Sequence, residues 1–433
     1  MERTWSTELG RHAGERVRLA GWLQRFRQLS QVSFLVLRDA RGLAQVVVED
    51  PELVAQLARL QHESVLYVEG VVVAPPQAPG GVELHQPTVE VISAASEPPP
   101  FDLFRPTIAA QLPTILDHAP LALRHPRHRA FFALSAALLS GFRSTLHAMD
   151  FVEIQTPKLV AAATEGGANV FAVDYFGREA YLAQSPQLYK QVMVGVFERV
   201  YETGPAFRAE PHDTGRHLAE YVSLDAELGF IDDHFTVMRI AREALAGMIE
   251  AVRSRAPGAA SLLGVRLPDV PSPIPAIDFV RAQQQIEEAT GAKVVGEPDL
   301  APADERWIGE WARREHGSDF VFVVGYPMEK RPFYTHPDLA RPTHSLSFDL
   351  IFRGLEVIAG GQRLHLYDDY VTALAARGLS QEPFEGYLQA FRHAMPPHGG
   401  FAIGLERWVA QLVGAANVRE TTLFPRDRSR LAP

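Results

Sequence analysis

The chain has 433 residues, too many for one ordinary domain, with 46% apolar and 22% charged residues, as expected of a well-cored protein. A net charge of −10 leaves no global basic field for nucleic acid, so any such binding needs a local patch. The lack of cysteine excludes disulfides, thiolate zinc sites and cysteine nucleophiles. No apolar run approaches the ~18 residues of a membrane span, and Met1–Glu8 lacks the apolar core of a signal peptide. A cytoplasmic protein with no membrane partner is expected.

Residues 1–97 read as a small β unit. Arg16–Trp22, Ser33–Arg38 and Ala44–Glu49 alternate in polarity, with a hairpin turn at Asp39–Gly42. Glu52–Leu60 has helical spacing, and Ser64–Val73, Val82–His85 and Val89–Ile92 supply further strands. Strands, a helix, then strands is the order of a five-stranded OB barrel, whose face binds single-stranded nucleic acid by stacking beside basic groups. Phe34, Arg25, Arg27 and Gln45 could form that face; Phe34 could equally be core. Glu97–Pro100 is a stiff break, and the proline-punctuated residues 98–125 read as a hinge.

Residues 126–433 alternate helices and strands. Phe131, Leu134, Leu138, Phe142 and Leu146 recur at helical spacing, and Asp150–Pro157 reads as a strand. Ala163–Ala168 is an acidic loop. Pro186 suits the first turn of a helix capped by Ser185, which would gather Gln184, Gln187 and Lys190 at the helix start. Val200–Glu210 and Tyr221–Phe230 read as a long antiparallel hairpin carrying Arg208, Glu210, Arg216 and His217 near its tip. A helix over residues 234–252, a Pro/Gly-rich connection (256–275), helices at 280–290 and 305–316 and a strand at 319–325 follow. Phe348–His365 begins as a strand and places Asp349, Glu356 and Arg363 seven residues apart. Gly354 must re-aim the chain between the carboxylates, and Gly360–Gly361 allows close backbone approach. Taken alone, this is either an edge strand with a solvated face or part of a site. Glu385–Arg392 is helical, and Gly399–Arg407 is a glycine-rich strand entering a helix. A mostly antiparallel sheet flanked by helices makes this an α+β domain.

The charged residues suit a polyanionic substrate. Arg208, Arg216 and Arg407 could clamp phosphates with their planar forks, or each could be a surface ion pair. Asp349 and Glu356 could hold Mg²⁺ together with phosphate oxygens. There is no Walker loop, G-x-G-x-x-G, HExxH or Ser/His/Asp signature. ATP chemistry here would work by positioning and charge. Only four of the 42 basic residues are lysines (Lys158, Lys190, Lys293 and Lys330), so a lysine points to a need for a compact ammonium.

These residues carry a family resemblance over essentially the whole chain. Phe207–Glu210 with Arg216–Leu218 resembles motif 2 of class II aminoacyl-tRNA synthetases, Gly404–Arg407 resembles motif 3, and Asp150–Pro157 resembles motif 1. Gln184–Gln191, Gly360–His365 and Leu423–Arg428 resemble the archaeal-type aspartyl-tRNA synthetases. The resemblance implies a homodimeric OB-plus-class-II enzyme. It would activate L-aspartate with ATP and Mg²⁺ as aspartyl-adenylate and charge tRNA(Asp). It implies aspartate contacts at Glu165, Gln187, Lys190, Arg208, Ala359 and Arg363. ATP contacts fall at Arg208, Ala209, Glu210, Arg216, His217, Leu218, Glu356, Gly404, Leu405, Glu406 and Arg407, with Tyr221 beside the adenine. Catalytic roles fall to Arg208, Glu356, Arg363 and Arg407, and the metal to Asp349 and Glu356.

Two departures stand out. The family usually has Ser where this chain has Ala359, which removes a hydroxyl near metal and substrate. In the anticodon region, Gln24 and Pro79 stand where discriminating enzymes tend to carry Trp and Lys, which resembles the non-discriminating kind that also charges tRNA(Asn). Phe34, Gln45 and Glu83 match anticodon-contacting positions. The alternatives are a strictly tRNA(Asp)-specific enzyme, an asparaginyl-tRNA synthetase and an amide-forming paralogue. Lys190 argues against the asparaginyl reading, because a neutral amide would leave a buried ammonium unpaired.

Overall fold

Alternating buried and exposed side chains roll the N-terminal strands into a barrel. In the computed structural model, which describes residues 2–30, 32–161, 169–211 and 214–433, the strands are β1 (Arg16–Gln28), β2 (Ser33–Arg38), β3 (Leu43–Val48), β4 (Val65–Val73) and β5 (Glu83–Ser93). They close in the order β1-β2-β3-β5-β4. Leu19, Leu35, Val46, Leu66, Val68 and Leu84 are among the core residues inside. The helix Pro51–Leu57 follows β3, with Asp50 accepting the Glu52 N–H at its start. The segments expected as separate strands at 82–85 and 89–92 are one strand. The ladder passes from Thr88 opposite Glu69 to His85 opposite Val71, so Pro87 sits at a register shift that asks no donor of it. The acidic loop expected at Ala163–Ala168, including Glu165, lies outside the described residues.

The chain divides into two compact units, residues 1–126 and 127–433. Residues 98–125 are not a bare connector. They carry the short helices Leu112–Asp117 and Ala119–Ala122, and they pack on the barrel through Leu103 and through Arg124, which pairs with Glu63.

The second unit is built on an eight-stranded sheet. Its strands are β6 (Val152–Glu153), β7 (Arg199–Phe207), β8 (Glu220–Gly229), β9 (Ala276–Asp278), β10 (Phe320–Val324), β11 (Ser347–Phe352), β12 (Leu355–Gln362) and β13 (His398–Gly404), in the order β9-β10-β11-β12-β13-β8-β7-β6. Only the end pairs, β9 with β10 and β6 with β7, are parallel. Period-two alternation gives the central strands two unlike faces. Leu224, Ala226 and Leu228 of β8, Phe401 and Ile403 of β13 and Phe348, Leu350 and Phe352 of β11 join the main core. That core also takes the helix Pro126–Ala148, on Leu134, Leu138, Phe142 and Leu146 of its predicted residues, and the helix His234–Arg255, while Phe131 is buried outside it. A seven-residue helix, Pro257–Leu263, interrupts the connection expected at 256–275, and the helix Tyr367–Ala376 was not foreseen.

The stretch 348–365 is a hairpin. Arg353 and Gly354 turn at φ +49° and +81°, as a two-residue hairpin requires. Gly354 therefore reverses the chain, and a bulge completes the re-aiming. Ile358 faces Leu350 while Glu356 faces Ile351, leaving Val357 as the extra residue. Val357 and Ile358 both reach the core. Glu356 and Ala359 consequently share the opposite face.

Candidate active site

That opposite face is polar or small at nearly every central position: Asp349 on β11, Glu356 and Ala359 on β12, Gly400 and Ala402 on β13, and Ser223, Asp225 and Glu227 on β8. The cross-strand pairs Asp349–Ala359, Ala359–Ala402 and Ala402–Asp225 run across it in one row. A Cβ on Gly400 would collide with the Glu227 carboxylate and the Ala226 carbonyl, so this glycine makes room for the acid. Gly360 and Gly361 allow the close approach expected of them. A Cβ on Gly360 would lie 2.5 Å from the Phe348 ring, and one on Gly361 would lie 2.7 Å from the Leu346 carbonyl oxygen. Their closeness serves packing between neighbouring strands.

At one end, a cavity is lined by Arg208, Glu210, Arg216, His217, Leu218, Tyr221, Ser223, Glu356, Ala359, Gly404, Glu406 and Arg407, among others. Residues expected at a nucleotide site thus converge from β8, β12 and β13 and from the segments before β8. The Arg208 guanidinium lies 5.6 Å from the Tyr221 ring centroid. Ala209 contributes a backbone N–H to Asn169 O, and Asn169 contacts Glu210 at 3.5 Å. Leu218 packs with Ala410 and Val418, and Leu405 belongs to the main core. Among the described residues no carboxylate lies within 4.0 Å of Arg216 or Arg407, so both cations remain available to an anion. Glu406 takes the Val222 N–H on both oxygens, at 3.1 and 3.0 Å, and burial pushes its carboxyl up to about 7. It ties the helix Leu405–Val413 to β8.

The carboxylates expected to hold the metal differ from each other. Glu356 lines the cavity; burial, with Asp349 and Glu305 nearby, raises it to about 7 against the opposing Arg407 and Arg331. Asp349 is buried and receives both terminal nitrogens of Arg331, at 3.1 and 3.0 Å. The expected pair is therefore not symmetric, because a guanidinium already neutralises one member. Glu305, which sequence reasoning missed, accepts the Glu356 N–H at 3.0 Å. Oxygen donors and crowded negative charge suit a hard divalent cation. Among the described residues, no three His, Asp or Glu side chains gather as a ligand set.

Beyond Ser223 the face becomes a buried charge cluster. Lys190, 1% exposed, lies 2.9 Å from Asp225 and 3.4 Å from Glu227 and donates to the Phe401 carbonyl. Arg363 donates to Glu227 at 3.0 Å and to the Gly400 carbonyl, and reaches Gln187 at 3.5 Å. Burial would raise the Glu227 carboxyl, but Arg363 and Lys190 bring it below its ordinary value. Lys190 is not the unpaired ammonium expected from the sequence. Its ammonium is already paired, so no substrate charge is required to neutralise it. Beneath lies His398, which burial pushes down to about 4, beside Gln191, Tyr370 and Tyr387. The helix Gln187–Phe197 starts one residue later than predicted, and Ser185 Oγ accepts the Gln187 N–H.

On the barrel, Phe34 is half-buried opposite Arg27, whose guanidinium is 5.6 Å from the ring centroid. Arg27, Gln45, Glu83 and His85 form a hydrogen-bonded row. Gln24 departs from expectation. An irregularity between Leu23 and Arg25 turns it inward, where it is 5% exposed, donates to Leu103 O and accepts from Arg38. It is a structural group in this fold. The backbone of Pro79 opens a short turn to Gly81; its side chain lies outside the described set.

Such a sheet, with motif residues at one cavity and a separate OB barrel, defines a class II tRNA synthetase. The family described as tRNA synthetases class II (D, K and N) matches residues 111–428, and the OB-fold nucleic acid binding domain matches residues 17–92. The chain belongs to the class II family and is an aminoacyl-tRNA ligase. It is 47% identical to the Thermus thermophilus aspartate–tRNA(Asp/Asn) ligase, over 98% of this chain and 99% of that one. It is 46% identical to the Deinococcus radiodurans protein of the same name, over 100% and 99%. Among solved structures, the asparaginyl-tRNA synthetase of Pyrococcus horikoshii, complexed with asparaginyl-adenylate, superimposes with a TM-score of 0.93 at 32% identity, over the full length of both chains. No helix among the described residues is long and apolar enough to cross a membrane.

Proposed function

We propose that this chain is a non-discriminating aspartate–tRNA ligase of cytoplasmic translation. It joins L-aspartate to ATP, releasing pyrophosphate, and transfers the aspartyl group to tRNA(Asp) and tRNA(Asn). The observation that carries the reading is one continuous polar sheet face, which leads from the arginine-lined cavity to the Lys190–Arg363 cluster. ATP fits the first and the amino-acid side chain the second, so the α-phosphate and the attacking carboxylate meet near Arg208. Arg216 and Arg407 grip the outer phosphates, and Glu210, His217 and Tyr221 border the adenine. Bound Mg²⁺ would supply charge neutralisation of the triphosphate, with Glu356 on the cavity wall as its carboxylate. Gln187 and Glu165 attend the α-amino group.

The barrel row around Phe34 is the anticodon surface: an aromatic face beside Arg27, with Gln45 and Glu83 as hydrogen-bonding groups. Residues 1–97 form the anticodon-binding domain, and residues 126–433 the aminoacylation domain. A homodimer forms through the helix Pro126–Ala148, where Phe132 and Leu139 share a groove with the exposed Leu423 and Phe424. ATP–pyrophosphate exchange with aspartate and with asparagine tests the amino acid. Exchange driven only by asparagine would replace this reading with the asparaginyl one, which the pre-neutralised Lys190 permits. Aspartylation of tRNA(Asn) transcripts tests the tRNA range.

A further inference from the structure

On the function just proposed, the two carboxylates expected at the metal stand in unlike surroundings. Asp349 is 5% exposed and does not line the cavity, unlike Glu356. Arg331 meets it with two parallel hydrogen bonds, the strongest arrangement open to a guanidinium and a carboxylate. The guanidinium is fixed from its other side as well, 3.9 Å from the ring centroid of Tyr326, which is itself buried. Ala359, the cross-strand partner of Asp349, offers no side-chain oxygen. Glu356, by contrast, has no cation within 4.0 Å among the described residues.

We propose that Arg331 is the resident counter-ion of Asp349, and that this pair withdraws Asp349 from the metal site, so that a divalent cation enters only with the nucleotide, on Glu356 and phosphate oxygens. A free ion approaching Asp349 meets a fixed positive charge within a few ångströms. One carboxylate plus phosphate oxygens is a sufficient shell for Mg²⁺, which keeps most of its waters. Arg331 is in this sense a positioning residue. It holds Asp349 in the sheet and leaves the metal to be carried by ATP.

The test is titration of the full-length chain with Mn²⁺, read by electron paramagnetic resonance, with and without α,β-methylene-ATP. Without nucleotide, the wild-type chain should take up no Mn²⁺ at roughly 0.1 mM free ion. Arg331→Met should bind the free ion about tenfold more tightly or better, because a nearby unit charge is gone. Arg331→Lys, which keeps the charge, and Arg331→Met/Asp349→Asn, which removes the freed carboxylate, should show no such gain. Tight nucleotide-free binding by the wild type would overturn the proposal, even if the Met variant does not fold. So would an unchanged affinity in a folded Arg331→Met protein. The function itself fails separately, if α,β-methylene-ATP does not bind at all; the nucleotide-free titration still decides the role of Arg331.

Discussion

Lys190→Met separates what the buried lysine does for the fold from what it does for the substrate. Methionine preserves the stem and removes the charge. Glu227 keeps Arg363 at 3.0 Å, but among the described residues Asp225 keeps only the Ser223 hydroxyl, at 2.5 Å. One buried carboxylate is left without a cation, and breaking a buried pair this way costs about 3–5 kcal/mol. The variant should therefore unfold at clearly lower denaturant, followed by tryptophan fluorescence of the catalytic unit. Loss of a charge-assisted contact to the substrate carboxylate should also lower aspartate-dependent pyrophosphate exchange about 100-fold, the equivalent of roughly 3 kcal/mol. Lys190→Met/Asp225→Asn removes the stranded carboxylate and should regain about half the lost stability while exchange stays low. A wild-type unfolding midpoint for Lys190→Met would show that the ion pair contributes nothing. Recovery of exchange along with stability in the double variant would mean that Lys190 never reads the substrate.

Four further perturbations test other parts of the site. Arg407→Ala should raise the KM for ATP by about tenfold to 100-fold, as loss of a charged hydrogen bond predicts; an unchanged KM would place the triphosphate elsewhere. Gly400→Ala drives a Cβ into Glu227 and should cost about 1–3 kcal/mol or more in thermal unfolding, together with the exchange activity. Glu406→Gln probes ionisation. The folded carboxyl is raised to about 7 from an ordinary 4.5, so the native state holds the proton more tightly than the unfolded chain, and stability is lost as pH rises from 4.5 through 7. Glutamine still accepts the Val222 N–H and escapes that loss, so it should gain up to about 3 kcal/mol at pH 8 and little at pH 4.5; equal gains at both would exclude ionisation as the cause. Pro79→Lys should reduce aspartylation of tRNA(Asn) relative to tRNA(Asp), and an unchanged ratio would remove this turn from tRNA choice.

Why some of the site could be read from the chain and some could not follows from how each residue is placed. Arg208, Arg216 and Arg407 sit where strands end at turns or helix starts, so proline and glycine punctuation exposes them. The main helices are legible because their apolar residues repeat at 3.6, as Phe131 to Leu146 do. The counter-charges come from elsewhere. Arg331 belongs to irregular chain between β10 and β11, and Glu305 to a helix before β10; only tertiary packing brings them to Asp349 and Glu356. The burial of Gln24 follows from one irregularity in β1, which alternation cannot foresee. Asp225 and Glu227 are another matter. Ser223, Asp225 and Glu227 alternate with Leu224, Ala226 and Leu228 in a strand whose length and apolar half place it inside a sheet. Two acids at alternate positions of an interior strand cannot face a hydrophobic core, and their own face is shut off from water by the helix Gln187–Phe197 packed on it. They therefore require cations brought to them, and in a chain with four lysines the one at a helix start, Lys190, was the available partner. The lysine and the acids carry one signal between them, and reading either alone mistakes a neutralised cluster for a lone cation awaiting its substrate.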